Sequence, residues 1–254
     1  MTAAALWLRS FDAEPGRSVR LVVFPYAGGG ASAFRTWPGQ LPRGIAFHVV
    51  QLAGREARFR EPPATRATDI IVPVTRAIAS IDDGAPLVLF GHSMGAILAF
   101  EVARQLRRMG RGPSALVVSG RCAPQLRTRS PRLAHLDGME LVDRLAGLYG
   151  GIPPEVLAEV SLADLMARVL KGDLTVIEGY EYFPDELLAC PIVACGGTED
   201  PWVTPDELGG WREQTRGGFV AERYPGDHFY FRRADSERRL LDGVARVCAV
   251  SKTV

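Results

Sequence analysis

Gly91-His92-Ser93-Met94-Gly95 carries the strongest chemical signal in this 254-residue sequence. A serine hydroxyl is a poor nucleophile at neutral pH and needs a base to take its proton. That base needs an acid to orient it. Histidine is scarce, present only as His48, His92, His135 and His228. His228 closes a Gly226-Asp227-His228 turn behind one apolar segment, and Asp200 lies in the loop 196–201 behind another. Ser93 as nucleophile, His228 as base and Asp200 as orienting acid form a set suited to acyl transfer through a covalent intermediate. Glu199 and Asp206 are the alternative acids. Asp227 is expected in solvent, His92 in local packing beside the nucleophile, and His48 and His135 in structural roles. The anionic intermediate needs two N–H donors. Met94, just past the serine, and Ala27, in the small-residue loop Tyr26-Ala27-Gly28-Gly29-Gly30, are placed to supply them.

These residues need a scaffold that brings distant loops to one edge. Continuous apolar runs predict strands over 20–24, 47–52, 86–90, 115–119, 191–195 and 219–224. Helical spacing over 68–80, 96–108 and 236–250 alternates with them, so the fold class is α/β with a mostly parallel sheet covered on both faces. The strand at 86–90, the sharp turn at Ser93 and the helix from 96 make the strand–turn–helix context of a nucleophile elbow. The chain order Ser93, Asp200, His228 is that of the α/β-hydrolase arrangement. Between 121 and 189 the alternation breaks. Helices are predicted over 136–149 and 162–182, separated by Gly150-Gly151-Ile152-Pro153-Pro154. This reads as a helical lid inserted into one α/β-hydrolase domain spanning 1–254.

Composition narrows the function further. Apolar residues make up 47% and charged residues 23%, with a net charge of +1, which argues against a nucleic-acid binder driven by bulk charge. No apolar run reaches a membrane span, and Ala3-Ala4-Ala5-Leu6-Trp7-Leu8 is too short for a signal core, so a cytoplasmic location is expected. Cys122, Cys190, Cys195 and Cys248 form no C-x-x-C pair and read as buried free thiols. The glycines at 28–30 lack the Gly-Lys-Ser/Thr and G-x-G-x-x-G contexts of phosphate cradles. No metal and no cofactor are expected, and a monomer is the default.

Four segments carry a resemblance to the type II thioesterases of polyketide and nonribosomal peptide biosynthesis. They are Phe24-Pro25-Tyr26-Ala27-Gly28-Gly29; Leu52-Ala53-Gly54-Arg55-Glu56-Ala57-Arg58 with Glu61-Pro62-Pro63; Gly91 to Ala96; and 196–201 with Gly226-Asp227-His228-Phe229. Departures are Ala53 in place of the usual proline, Asp227 where glycine is common, and an unusual lid segment over 166–174. The resemblance implies hydrolysis of acyl groups from the phosphopantetheine thioester of an acyl or peptidyl carrier protein, as an editing step. It also implies a carrier-protein partner, which Arg55, Arg58, Arg121, Arg127 and Arg129 near the mouth could contact. The residues alone allow a carboxylesterase or lipase, an acyltransferase, or a non-enzymatic binding subunit of the same fold.

Overall fold

The apolar runs fold as strands of one sheet. In a computed structural model of the protein, which describes residues 3–11, 18–150, 152 and 154–251, seven strands line up in the order β1-β3-β2-β4-β5-β6-β7. They are β1 (Leu8–Ser10), β2 (Val19–Phe24), β3 (Ile45–Val50), β4 (Leu87–His92), β5 (Ala115–Ser119), β6 (Ile192–Gly197) and β7 (Phe219–Tyr224). β1 pairs antiparallel with β3, and every other pairing is parallel. The sheet is thus the mostly parallel one expected.

Burial on both faces follows from the alternation of side chains along each strand. Val22, Phe24 and Leu89 join one core with Ile70, Ile71 and Val74 of α2 (Thr68–Ser80) and Ile97 and Phe100 of α3 (Met94–Arg108). Leu21, Val23 and Phe90 point the other way, into a core with Phe34, Trp37 and Leu240, Leu241 and Val244 of α8 (Ala234–Ser251). Each fully buried side chain of this kind contributes about 1.5–3 kcal/mol. The four cysteines are free and buried, as expected.

Among the described residues, the segment between β5 and β6 adds no strand to the sheet. It carries α4 (Gly138–Tyr149), α5 (Pro154–Ala158) and α6 (Val160–Glu178), and α4 and α6 pack a separate small core through Leu141, Val142, Leu145, Ala163, Ala167 and Leu170. Gly150 ends α4 at φ +63, the left-handed region that favours glycine; Gly151 and Pro153 lie outside the described residues. α6 stops at Gly179 rather than running to 182. Short α-helices escaped the periodicity, among them α5, α7 (Pro205–Gly209) behind a Thr204 capping box, and α1 (Ala3–Trp7) leading into β1. β1 has one buried residue in three, too few for a hydrophobic pattern to mark it. Among the described residues, no helix is long and apolar enough to cross a membrane.

Candidate active site

The sheet order reverses between β2 and β4: the chain steps from β2 to β3 on one side, then returns across β2 to β4. Loops leaving the two strands at such a switch point part to opposite faces and open a crevice. Phe24 pairs with Gly91, so the loop after β2 and the turn after β4 emerge side by side. Ser93 sits in that turn at φ 54 and ψ −115, a left-handed conformation costing about 1–3 kcal/mol for a non-glycine residue. Its N–H donates to Ser119 O at 2.7 Å, which helps hold the strain. The flanking glycines are obligatory. A Cβ on Gly91 would lie 2.0 Å from Gly95 O, and one on Gly95 would lie 2.1 Å from Phe24 O.

Asp200 and His228 arrive from the far side of the sheet. Gly197 pairs with Tyr224 at the ends of β6 and β7, and the N–H groups of Thr198 and Glu199 donate to Tyr224 O and Gly226 O. This welds the two loops together. The His228 Nδ1 to Asp200 Oδ2 distance is 2.9 Å, both side chains are buried, and the other carboxylate oxygen of Asp200 accepts from Trp202 N at 2.9 Å. Glu199 lies exposed near Arg233 instead. Asp227 is exposed as expected, where its carboxylate accepts from Phe229 N at 2.8 Å. Ser93, His228, Ala27 and Met94 all line one cavity of about 740 Å³. No hydrogen bond joins Ser93 to His228 among the described residues; in unliganded sites such bonds often form only with substrate in place.

A clamp that sequence reasoning missed holds the loop after β2. Asp173, on α6 and 2% exposed, accepts from Arg55 Nη1 at 2.6 Å, Arg55 Nη2 at 2.7 Å and Gly28 N at 2.8 Å. Arg55 Nη1 also donates to Gly29 O at 3.0 Å. Glu56 accepts from Ala31 N at 3.1 Å and Ser32 N at 2.9 Å. Gly29 N returns to Tyr26 O at 2.9 Å, so Ala27 sits in a turn whose next two amides are already engaged. A signal for Asp173 existed: it interrupts the buried stripe Val169, Leu170, Val176 on α6.

His92 has no exposed surface, and its ring centroid lies 4.9 Å from that of His228. Its Nδ1 meets Ser119 Oγ at 2.9 Å, and Ser119 Oγ meets Tyr230 OH at 2.7 Å. Burial, and then the nearby His228 and Arg232, hold its pKa well below the usual histidine value, so the ring is neutral. It serves local packing, as the sequence implied. Tyr149 from α4 stands 5.2 Å from the His228 ring, and burial raises its pKa.

The arginines divide unexpectedly. Arg55 is locked to Asp173, Arg58 is buried on Glu61 and over the Trp7 ring, and Arg129 pairs with Glu207 at 2.8 Å. Arg121 lies inside the cavity wall. Of the five expected at the mouth, Arg127 is exposed and forms no ion pair among the described residues. Arg35, Arg132 and Arg232, also cavity-lining and exposed, share that state. Among the described residues, no cluster of three or more His, Cys, Asp or Glu could hold a metal.

Residues 19–248 match the thioesterase domain family. The chain belongs to that family. The thioesterase is 38% identical over 225 residues to the gramicidin S biosynthesis protein GrsT of Aneurinibacillus migulanus, covering 88% of this chain and 87% of the relative. Among solved structures, it superposes on the RedJ thioesterase of the prodiginine biosynthetic pathway in Streptomyces coelicolor with a TM-score of 0.84 and 37% identity, covering 93% of this chain and 89% of that one. YbtT, a type II thioesterase from the yersiniabactin NRPS/PKS pathway, gives a TM-score of 0.85 at 28% identity, covering 96% and 99%. The resemblance to type II thioesterases and the α/β-hydrolase fold are therefore both borne out, and the protein is a thioester hydrolase.

Proposed function

We propose that this thioesterase clears acyl groups from the phosphopantetheine arm of an acyl or peptidyl carrier protein of a megasynthase, through a Ser93–His228–Asp200 triad. The observation that carries the reading is the 2.9 Å contact between Asp200 and His228 at the wall of the cavity that also holds Ser93. Asp200 accepts from His228 Nδ1–H, which leaves Nε2 as the basic nitrogen. As Ser93 Oγ attacks the thioester carbon, its proton passes to Nε2 and the carbonyl oxygen becomes an oxyanion. The amides of Ala27 and Met94 donate to that oxygen; the first amides of a helix have no intrahelical acceptor to compete. The C–S bond breaks as the tetrahedral centre collapses, and His228 returns the proton to the thiol. Water, deprotonated by His228, then hydrolyses the acyl-serine and restores the enzyme.

The helices between β5 and β6 act as a lid over residues 121–189, within a single domain. Leu145, Met166, Leu170, Leu174 and Ile177 from this segment line the cavity and supply an apolar bed for the acyl chain. Arg35, Arg127, Arg132 and Arg232, exposed along the cavity and without an ion pair among the described residues, suit an acidic carrier and its phosphate-bearing arm. The enzyme acts in the cytoplasm as a monomer without a cofactor.

The test incubates the protein with several acylated carriers and reads their intact mass, beside matched oxygen esters. The reading expects loss of the acyl mass from carriers, faster turnover of thioesters than of oxygen esters, and a fall of about 10³-fold or more in Ser93→Ala. Carriers left acylated while oxygen esters turn over would make the protein an esterase. Full activity in Ser93→Ala would remove the triad.

A further inference from the structure

Tyr149 brings the lid into contact with the catalytic residues. α4 sends Leu141, Val142 and Leu145 into the lid core, and Tyr149 is its last residue. Gly150 N donates to Ala146 O at 2.9 Å and Gly150 turns left-handed at φ +63, so the helix stops there and the Tyr149 backbone is fixed. The ring packs partly on the lid core and partly into the cavity that holds Ser93 and His228. Its centroid lies 5.2 Å from that of His228 at 62°, and 5.3 Å from that of Trp202 at 37°. A hydrogen bond with Ser130 holds the hydroxyl. Burial raises its pKa, so the phenol stays neutral and works as a ring, not as an acid.

The imidazole needs such a contact. The hydrogen bond between His228 Nδ1 and Asp200 Oδ2 fixes one ring atom. By itself it leaves the ring free to tilt about that point, and a tilt carries Nε2 away from Ser93 Oγ. Rings on three sides set the plane: His92 from the elbow at 4.9 Å, the adjoining Phe229 at 5.2 Å, and Tyr149. The Phe229 and Tyr149 contacts are edge-to-face, the arrangement that the quadrupoles of aromatic rings favour. Trp202 extends the contact to the acid, because its backbone N–H donates to Asp200 Oδ1 at 2.9 Å. Tyr149 therefore lies against the base and against the residue that holds the acid. Misplacing a reacting group by about 1 Å costs about 10²-fold in rate.

We propose that Tyr149 is a positioning residue for the reaction: its ring braces His228 against Asp200 and keeps the imidazole aimed at Ser93. The inference rests on the triad reading of Ser93, His228 and Asp200. It gives the lid a part in the chemistry beyond covering the acyl chain. α6 ties down the loop of Ala27 through the bond from Gly28 N to Asp173, and α4 braces the base through Tyr149. Lifting α4 away from the sheet withdraws the brace, and the base idles until the helix returns.

The experiment measures two rates in wild type, Tyr149→Ala and Tyr149→Phe: hydrolysis of propionyl N-acetylcysteamine thioester, and phosphonylation of Ser93 by a small alkyl fluorophosphonate, followed by intact mass. The phosphonate carries no acyl chain, so its rate reports the serine and its base and not the fit of a chain in the cavity. In Tyr149→Ala, kcat and the phosphonylation rate should both fall about tenfold, with KM within about twofold of wild type. Tyr149→Phe keeps the ring, and both rates should stay within about threefold of wild type. A fall in phosphonylation of less than about threefold in Tyr149→Ala, a rise in KM with kcat intact, or equal falls in the two variants overturns the proposal. If Tyr149→Ala does not fold, Tyr149→Leu, which fills the lid core without an aromatic ring, carries the same expectation. The downfield proton NMR signal of His228 Nδ1–H, identified by its absence in His228→Gln, reads the brace without turnover. It should be present in wild type and Tyr149→Phe and lost to exchange with water in Tyr149→Ala; its persistence there overturns the brace. If Ser93→Ala is phosphonylated as fast as wild type, the reading of Ser93 fails, and the NMR comparison alone decides Tyr149.

Discussion

Replacing Asp173 by alanine should cripple the enzyme from a helix that contributes no triad residue. The carboxylate is 2% exposed and accepts two hydrogen bonds from Arg55 and one from Gly28 N. Its loss leaves a guanidinium, 9% exposed, without a counter-charge, and a backbone amide without an acceptor. Breaking one side of a buried pair costs about 3–5 kcal/mol, because the surviving charge stays desolvated. At about 2–4 °C per kcal/mol for a chain of this size, the melting temperature should fall by about 6–20 °C. The pair itself contributes little relative to well-packed apolar residues. The double variant Arg55→Met with Asp173→Leu should therefore recover much of the stability lost in Asp173→Ala. It should not recover activity, because the loop carrying Ala27 is still untied from α6. Displacing Ala27, the proposed oxyanion donor, should lower kcat about tenfold or more, short of the 10²–10³-fold cost of deleting such a donor. Urea and thermal unfolding of wild type, Asp173→Ala and the double variant, with kcat on a small thioester, separate the two effects. An Asp173→Ala protein that melts within 1 °C (about 0.5 kcal/mol) of wild type with kcat intact would refute the clamp.

His92 is neutral when folded but titrates near 6.5 when unfolded, so below that pH the unfolded chain binds a proton that the folded chain excludes. Stability should therefore fall as pH drops below about 6.5, by up to about 1.4 kcal/mol per pH unit from this group, and His92→Gln should flatten the urea-derived slope between pH 6.5 and 5. A Cβ on Gly120 would lie 2.4 Å from His92 Cε1 and 3.3 Å from His228 Cε1, at φ +59. Gly120→Ala should lose about 100-fold in kcat/KM by displacing His228, the proposed base; activity within twofold of wild type would count against that packing. Reversing the charge at Arg127 and Arg132 should raise KM for a carrier-bound acyl group about tenfold, most strongly at low salt, while a small thioester is unaffected. Equal effects on both substrates would argue against carrier docking at the mouth.

Much of the scaffold was legible because its signals are local. Val22, Leu89 and Val117 belong to runs too apolar for any place but a sheet buried on both faces, and the runs were located to within two residues. The elbow could be read from five consecutive residues, because the turn tolerates no side chain at Gly91 or Gly95. Thr204 and Glu207 close a capping box whose short helix is too brief to show periodicity. β1 escaped because an edge strand of three residues gains its stability from the neighbour it pairs with.

Arg55, Arg58, Arg121 and Arg129 are alike in the sequence, and all were expected at a docking surface. In the folded chain the first binds a carboxylate 118 residues away, the second and fourth hold glutamates, and the third lines the cavity with its Nε buried and without a partner among the described residues. Local sequence determined which segments become strands, where the strained serine turns, and which histidine and aspartate follow strand ends. Only the tertiary structure decided which charge meets which. Strand and turn formation depend on neighbours a few residues away, whereas the state of a buried charge depends on whatever the fold brings within about 4 Å, from any distance along the chain.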